Sequence, residues 1–180
     1  MAQVLRTGWM ALSLLAIAGC GAQASQPDFV VRDTSVVVRS EAAFTRSVDF
    51  PGRVESTLSA ALDYWGGTWS DLAGATVVFE GSSHIECPGI GPSLGCYDGN
   101  IRLTTVDAGQ TISCVEATVL VHEVGHAVIG DADHEDPRWM DFEQLAGELQ
   151  GRAGYTASGP GSCEPVANVW RHPPASLTLR

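Results

Sequence analysis

The sequence predicts an α+β fold, in which a small twisted mixed sheet packs against helices. Short segments rich in Val and Thr alternate along the chain with two segments whose apolar residues recur at helical spacing. Apolar residues make up 44% of the 180 residues and charged residues only 17%, which is enough apolar material for one buried core. We therefore expect a single folded domain rather than a disordered chain.

The first half of this domain is predicted to be strand, helix, strand. Residues 29–39 are rich in Val and Thr and predict a strand. Between residues 51 and 65, apolar side chains recur at i, i+4, i+7, i+8 and i+11, which places them on one face of a helix. Pro51 suits the first turn of this helix and Gly66 suits its end. Residues 75–80 then predict a buried strand.

The second half is predicted to contain a long loop, a strand and two helices. Residues 81–99 are rich in Gly and Pro and predict a loop. Apolar and polar residues alternate over Asn100 to Thr105, which predicts a half-exposed strand. A helix is expected over residues 115–129, ending at Gly130, and a third helix over residues 142–149.

The N-terminal segment has the features of an export signal. Arg6 precedes an apolar run at residues 9–18, which is too short to span a bilayer. The segment Ile17-Ala-Gly19, with its two small residues directly before Cys20, resembles the bacterial lipobox, which implies cleavage before Cys20 and acylation there. The alternative is an ordinary signal peptide that leaves Cys20 as a free thiol. The lipoprotein interpretation predicts a signal peptide at 1–19, a tether at 20–27 and one domain at 28–180, exported and anchored to a bacterial membrane only through the lipid.

The four remaining cysteines are even in number, which in an exported chain predicts two disulfides. We expect Cys87–Cys96, which closes a loop rich in Gly and Pro, and Cys114–Cys163. The alternative is a metal site with four Cys ligands, but the spacing lacks the C-x₂-C pair that is typical of such sites.

Net charge excludes one class of partner. Acidic residues number 21 against 10 basic residues, all of them Arg, and the formal net charge is −11. A nucleic-acid-binding protein needs positive charge to displace the counterions of phosphates, so we expect no nucleic-acid partner.

One motif in the second predicted helix carries metal chemistry. It reads His122-Glu123-Val-Gly-His126, so the two His lie one helical turn apart on the same face and can converge on one Zn²⁺. Zinc is a Lewis acid that activates water, and the intervening Glu123 can accept the proton of that water without binding the metal. The motif predicts one zinc ion per chain, with Glu123 as the catalytic base.

Residues 51–142 resemble the metzincin clan of zinc metallopeptidases, and its matrixin-like members most. Besides the zinc motif, the resemblance is carried by the predicted helix and strand on either side of Trp69-Ser-Asp-Leu72, and by Arg138-Trp-Met140-Asp. It implies a zincin domain in which Met140 forms a Met-turn under the metal. It also implies that a substrate peptide pairs with an edge strand of the sheet, for which residues 100–105 are the candidate.

The third metal ligand is where the chain departs from the family pattern H-E-x-x-H-x-x-G-x-x-H. Gly130 comes one residue late and His134 two residues late. His134 is the first candidate, since Met140 follows it as a Met-turn would. The alternatives are carboxylates, either in the loop or on a later helix: Asp131, Asp133, Glu143 and Glu148.

A second departure concerns the group that stabilises the oxyanion. Some family members have a Tyr two residues after the Met, where this chain has Phe142, which cannot donate a hydrogen bond. Tyr97 and Tyr155 are the remaining candidates.

These observations predict a zinc-dependent endopeptidase that acts on peptide or protein substrates as a lipid-anchored monomer. The alternative is a non-catalytic, disulfide-stabilised surface lipoprotein that binds a partner and has a structural zinc or none. Glu123 distinguishes the two functions, because a structural His site has no need of this Glu.

Overall fold

A computed structural model describes residues 26–107, 110–111 and 118–144, which form an α+β fold with a mixed sheet. The helices are α1 (Phe50–Trp65), α2 (Thr118–Ile129) and α3 (residues 138–144), with short 3₁₀ turns at Ala43–Arg46 and Trp69–Leu72. The strands are β1 (Phe29–Val31), β2 (Thr34–Val38), β3 (Thr76–Glu80), β4 (Ile85–Cys87), β5 (Gly91–Ser93), β6 (Gly95–Tyr97), β7 (Ile101–Thr104), β8 (Val106–Asp107) and β9 (Gln110–Thr111). Within these residues, no helix has both the length and the apolar character needed to cross a membrane.

The main sheet has five strands in the order β1-β2-β3-β7-β6. Its three central strands are parallel, with β2 joined to β3 through α1, and the outer strands β1 and β6 run antiparallel to their neighbours. The pairs β4–β5 and β8–β9 form two small separate hairpins. Among the described strands, the sheet therefore ends at β6, which follows directly after the β4–β5 hairpin.

One apolar core joins the sheet to the helices. α1 packs against α2, and α2 also contacts β6 and β7. Most core residues come from β2, β3, β7, α1 and α2, with others from β1, the second 3₁₀ turn and α3; they include Val36, Val77, Ile101, Val54, Leu58, Trp65, Leu120, Val121, Val124 and Trp139. α2 is thus held between α1 and the β6–β7 end of the sheet, and this placement decides where its polar residues lie.

The first half of the chain agrees with the sequence prediction except at one turn. α1 contains Pro51 in its first turn and ends at Gly66, whose φ of 75° is the left-handed conformation that glycine adopts easily. The predicted strand at 29–39 is instead the hairpin of β1 and β2. Its turn includes Arg32 with φ 52°, which is uncommon for a residue with a side chain, so composition did not reveal the turn.

Three elements in the second half differ from the prediction. The loop predicted at 81–99 contains β4, β5 and β6, three-residue strands that are too short to show a periodic pattern. The strand predicted at 100–105 exists as β7, but it lies between β3 and β6 and so is not an edge strand. α3 begins at residue 138, earlier than the predicted 142, because Pro137 allows a helix to start directly after it.

Candidate metal centre

Two of the histidines come from one face of α2. Leu120, Val121 and Val124 are almost fully buried in the core, whereas His122 and His126 are partly exposed on the other side of the helix. The Nε2 atoms of these two imidazoles are 3.1 Å apart. The helical spacing therefore brings the two nitrogens together, as the sequence motif predicted.

The third imidazole is that of His134. α2 ends at Gly130, whose φ is 69° and whose N–H donates to the carbonyl of His126. The loop then returns, so that the Nε2 atom of His134 lies 3.2 Å from that of His126. Among the described residues, these three His form the one group of ligand atoms that could hold a metal ion, all within 4.8 Å of one another.

Asp131 organises the loop that carries His134. Its carboxylate accepts the backbone N–H of Asp133 at 3.0 Å and that of Asp136 at 2.8 Å. These hydrogen bonds, the one from Asp136 first, lower the pKa of Asp131. The Asp131 carbonyl lies 2.9 Å from Nδ1 of His126, which as N–H donor keeps its Nε2 lone pair free for a metal. Asp131 thus supports the candidate ligand His126, and its carboxylate is not in the group of three imidazoles that could hold a metal.

The other carboxylate alternatives do not join the group of three imidazoles. Asp133 is exposed in the loop, and Glu143 is exposed on α3. Glu148 lies outside the described residues. The longer spacing between His126 and His134 is therefore accommodated by the Asp131-centred turn, and the candidate set is His122, His126 and His134.

Burial favours the neutral form of two of the imidazoles, those of His122 and His126. Burial, followed by repulsion from the other two His, lowers the pKa of His122 to about 3. Burial also lowers the pKa of His126. Because a metal binds the neutral imidazole, the three converging His nitrogens could hold a divalent cation such as Zn²⁺, and among the described residues no fourth ligand atom joins them. The same donors also suit other transition metals.

Glu123 lies beside the triad and is buried, with 5% of its surface exposed. This burial raises the pKa of its carboxyl to about 8. The backbone of β6 passes very close to it, since a Cβ on Gly95 would lie 2.4 Å from Oε1 of Glu123. Nothing in the sequence pattern pointed to Gly95, because the approach joins residues that are far apart in the chain.

The Met-turn prediction is wrong for Met140. α3 is already helical at this point, and neighbouring residues of a helix point about 100° apart. Met140 is therefore 75% exposed, whereas Trp139 is buried and faces the three imidazoles. The family resemblance therefore pointed to the segment that lies beside the triad, but the residue of that segment that contacts the imidazoles is Trp139 and not Met140.

The triad and Glu123 line an open cleft of about 940 Å³. All three residues of β6 line it, including Tyr97, and Phe142 of α3 lines it as well. Tyr155, the other oxyanion candidate, lies outside the described residues. The remaining lining residues are mostly apolar or belong to the β4–β5 hairpin: Cys87, Ile90, Ser93, Leu94, Val119, Gly130, Asp131 and Ala132.

The predicted disulfide between Cys87 and Cys96 is confirmed, with the two Cα atoms 5.5 Å apart. It attaches the β4–β5 hairpin to β6 at the rim of the cleft, and it excludes a metal site of four Cys. Cys114, Cys163 and Cys20 lie outside the described residues, as do the predicted signal peptide and most of the predicted tether.

Comparisons with models of known families, with curated proteins and with solved structures find no match for this chain. The centre is therefore characterised by its own geometry, as a triad of imidazoles that could hold a metal ion at the floor of an open cleft.

Proposed function

We propose that this protein is a zinc-dependent endopeptidase. One observation carries the proposal: three imidazole nitrogens converge in an open cleft, and a buried Glu lies next to the first of them on the same helix. A purely structural metal site would be closed by a fourth protein ligand. Among the described residues, no fourth ligand atom joins the three His.

The residues have separate roles in the proposed reaction. His122, His126 and His134 would hold the zinc ion, which supplies the Lewis acidity that polarises water and the scissile carbonyl. Glu123 is the general base that accepts the proton of the attacking water. It later delivers this proton to the nitrogen of the leaving amine.

The substrate is proposed to bind as an extended strand along β6. β6 is the end strand of the main sheet, and each of its residues lines the cleft. An extended peptide could therefore add to this edge through backbone hydrogen bonds, with its carbonyl directed toward the triad. This replaces β7 in the role that the sequence suggested for residues 100–105.

The proposal is tested by comparing Glu123→Gln with Glu143→Gln, a matched change at an exposed Glu on α3. Both variants should bind one zinc per chain, measured by elemental analysis. Glu123→Gln should lose at least ~100-fold in peptide hydrolysis, since it keeps the side-chain shape and removes the base. Glu143→Gln should cleave a diverse peptide library as the wild type does.

One result would contradict the endopeptidase proposal and favour the non-catalytic alternative. In that case the zinc-loaded wild type would cleave nothing in the library, while Glu123→Gln would bind zinc and any natural partner as the wild type does. The protein would then be a partner-binding lipoprotein with a structural metal.

We further propose that the protein is exported and anchored through lipid on Cys20, acting as a monomer. The proposal comes from the apolar run and the small residues before Cys20. Cys20→Ser should release the protein from the membrane fraction or block its processing. Intact-mass measurement of the exported protein showing an unacylated N-terminus at another residue would exclude the anchor.

A further inference from the structure

The indole of Trp139 packs against all three imidazoles of the triad. Its ring centroid lies 4.2 Å from that of His134, 4.8 Å from that of His126 and 4.9 Å from that of His122. The three His come from two separate segments, and this one ring contacts each of them. We infer that Trp139 is a positioning residue, which holds the three imidazoles in the arrangement that receives the metal.

The indole is itself fixed in place from below. It is 1% exposed, and it packs on Trp65 with a centroid separation of 4.5 Å. Trp65 is anchored to α2, because its indole N–H donates to the carbonyl of Val121 at 2.7 Å. Arg138 ties the start of α3 to the same place by donating to the carbonyl of Trp65 at 2.7 Å. The stacked indoles of Trp139 and Trp65 therefore cannot shift without moving α1, α2 and α3 together.

Gly125, inside the His motif, allows both indoles to approach the helix. A Cβ at this position would lie 2.7 Å from Cη2 of Trp139 and 2.7 Å from Cε2 of Trp65. Contacts this short are not tolerated between rigid rings and a backbone-attached carbon, so any side chain at residue 125 would displace the rings. The glycine thus has a packing reason that is separate from metal binding.

Hydrogen bonding is not what holds Trp139. Its indole Nε1 is buried and has no hydrogen-bond partner among the described residues. A buried Trp usually satisfies this N–H, so the position tolerates an unpaired donor in order to keep a large flat ring under the imidazoles. A Phe at residue 139 would keep an aromatic face and remove the unpaired donor.

The proposed consequence is pre-organisation of the metal centre. Ring contacts restrict the rotation of His122, His126 and His134, so less side-chain freedom is lost when the metal binds. This inference rests on the metal-binding part of the proposed function and does not depend on peptide hydrolysis. It assigns to Trp139 the position under the metal that the family resemblance had assigned to Met140.

The test measures zinc affinity by competition with a chelator in wild type, Trp139→Leu, Trp139→Phe and the control Phe79→Leu. Phe79 is a core aromatic on β3 that packs on Phe50, and it does not line the cleft. Trp139→Leu should weaken zinc binding by about 10–100-fold, as loss of a residue that orients metal ligands does. Trp139→Phe should stay close to wild type, and Phe79→Leu should leave the affinity unchanged despite its loss of core packing.

Cobalt substitution gives a second readout that packing alone would not alter. The visible absorption of bound Co²⁺ should keep its shape in Trp139→Phe and Phe79→Leu, and it should change in Trp139→Leu because the ligand geometry relaxes. If Trp139→Leu does not fold, Gly125→Ala provides the same test, since its Cβ displaces the intact indole, and its zinc affinity should fall by a similar factor.

Three outcomes overturn the inference. The first is a folded Trp139→Leu variant that binds zinc as tightly as the wild type. The second is a loss of zinc affinity in Phe79→Leu as large as that in Trp139→Leu, which would show that Trp139 acts only through ordinary core packing. A wild type that binds no zinc would remove the metal centre together with the inference. If the wild type binds zinc with the expected order of variants but cleaves no peptide, the proposed function fails and the role of Trp139 stands.

Discussion

At the scale of single residues, Glu123 shows a conflict between burial and charge. Its pKa is raised to about 8 by burial, against an ordinary value of 4.5. In the metal-free protein, the protonated carboxyl therefore contributes stability that is complete below pH 4.5 and is lost as the pH rises through 8. Near neutral pH the buried side chain is therefore mostly the protonated carboxyl, and a cation beside it would favour the carboxylate form.

This conflict predicts the pH dependence of stability in the metal-free protein. Glu123→Gln stays neutral at every pH, so its unfolding free energy relative to wild type should rise between pH 4.5 and 8. At pH 7 the gain should be on the order of 3 kcal/mol, because pH 7 lies about 2.5 pH units above the ordinary pKa and each unit corresponds to ~1.4 kcal/mol. His122 and His126, whose lowered pKa values remove stability as the pH falls, are present in both proteins and cancel in the difference. Chelated protein unfolded by urea at several pH values provides the measurement, and a difference that does not vary with pH would contradict the prediction.

Gly95 is a second residue that matters beside the triad, and it does so through its close contact with Glu123 rather than through any chemistry of its own. An added Cβ would lie 2.4 Å from the Glu123 carboxylate and 2.7 Å from Val119 Cγ1, so Gly95→Ala must displace the base. We expect kcat for peptide hydrolysis to fall by at least ~10-fold, because a small misplacement of a catalytic group is costly. Zinc content should remain one per chain.

The matched control for Gly95→Ala is Gly52→Ala. A Cβ at Gly52, in the first turns of α1, meets no atom within 4 Å. Its activity should be unchanged and its stability slightly increased, since alanine is the better helix former. Equal activity in Gly95→Ala and Gly52→Ala would contradict the prediction, because it would show that the backbone of β6 moves to accommodate the Cβ without displacing Glu123.

At the scale of elements, the loop between α2 and α3 places His134, the third candidate ligand, beside His122 and His126. His134 has φ 58°, an uncommon conformation for a residue with a side chain, so the loop must hold it there. The Asp131 carboxylate does this by accepting two backbone N–H groups, those of Asp133 and Asp136. Asp136 in turn pairs with Arg138 at 2.8 Å, which joins the loop to the start of α3.

The loop can be tested by comparing Asp131→Ala with Asp133→Ala. Asp131→Ala removes both acceptors, so His134 should be less restricted and zinc affinity should fall by about 10-fold, within the range for residues that orient ligands. The Asp133 side chain is exposed and accepts none of these hydrogen bonds, so Asp133→Ala should bind zinc as the wild type does. Chelator competition measures both. A larger loss in Asp133→Ala would return that carboxylate to the list of ligands.

At the scale of the whole molecule, the triad links α2 to the loop before α3, so metal binding should stabilise the entire fold. A ligand that binds only the folded state adds about 4 kcal/mol to the unfolding free energy at 1,000 times its Kd. We therefore expect chelation to lower the thermal midpoint of the wild type clearly. In His134→Ala, zinc should stabilise the fold much less, because one ligand is lost.

The matched control is His84→Ala, a change at an exposed His before β4 that is not part of the triad. Its thermal midpoint should respond to zinc as the wild type does. If zinc stabilises His134→Ala as strongly as it does the wild type, His134 is not a ligand. The ligand set must then be sought among carboxylates of this loop or among residues beyond those described.

The features that the amino-acid sequence determined by itself are those that depend on neighbours close in the chain. α1 and its end at Gly66 follow from helical periodicity, and the pairing of His122 with His126 follows from the i, i+4 geometry of a helix. The Cys87–Cys96 bridge closes a short segment and was predictable for the same reason. Local geometry has few solutions, so pattern and spacing are enough to specify it.

Only the tertiary structure decided which distant residues complete the site. The path of the loop to His134, the rotation that buries Trp139 and exposes Met140, and the passage of β6 beside Glu123 all depend on how separate elements pack. Short strands such as β6 carry no periodic signal, and a shift of one residue in the start of α3 changes which side chain points at the triad. Contacts between elements are selected by the shape of the whole core, and no stretch of sequence contains that shape by itself.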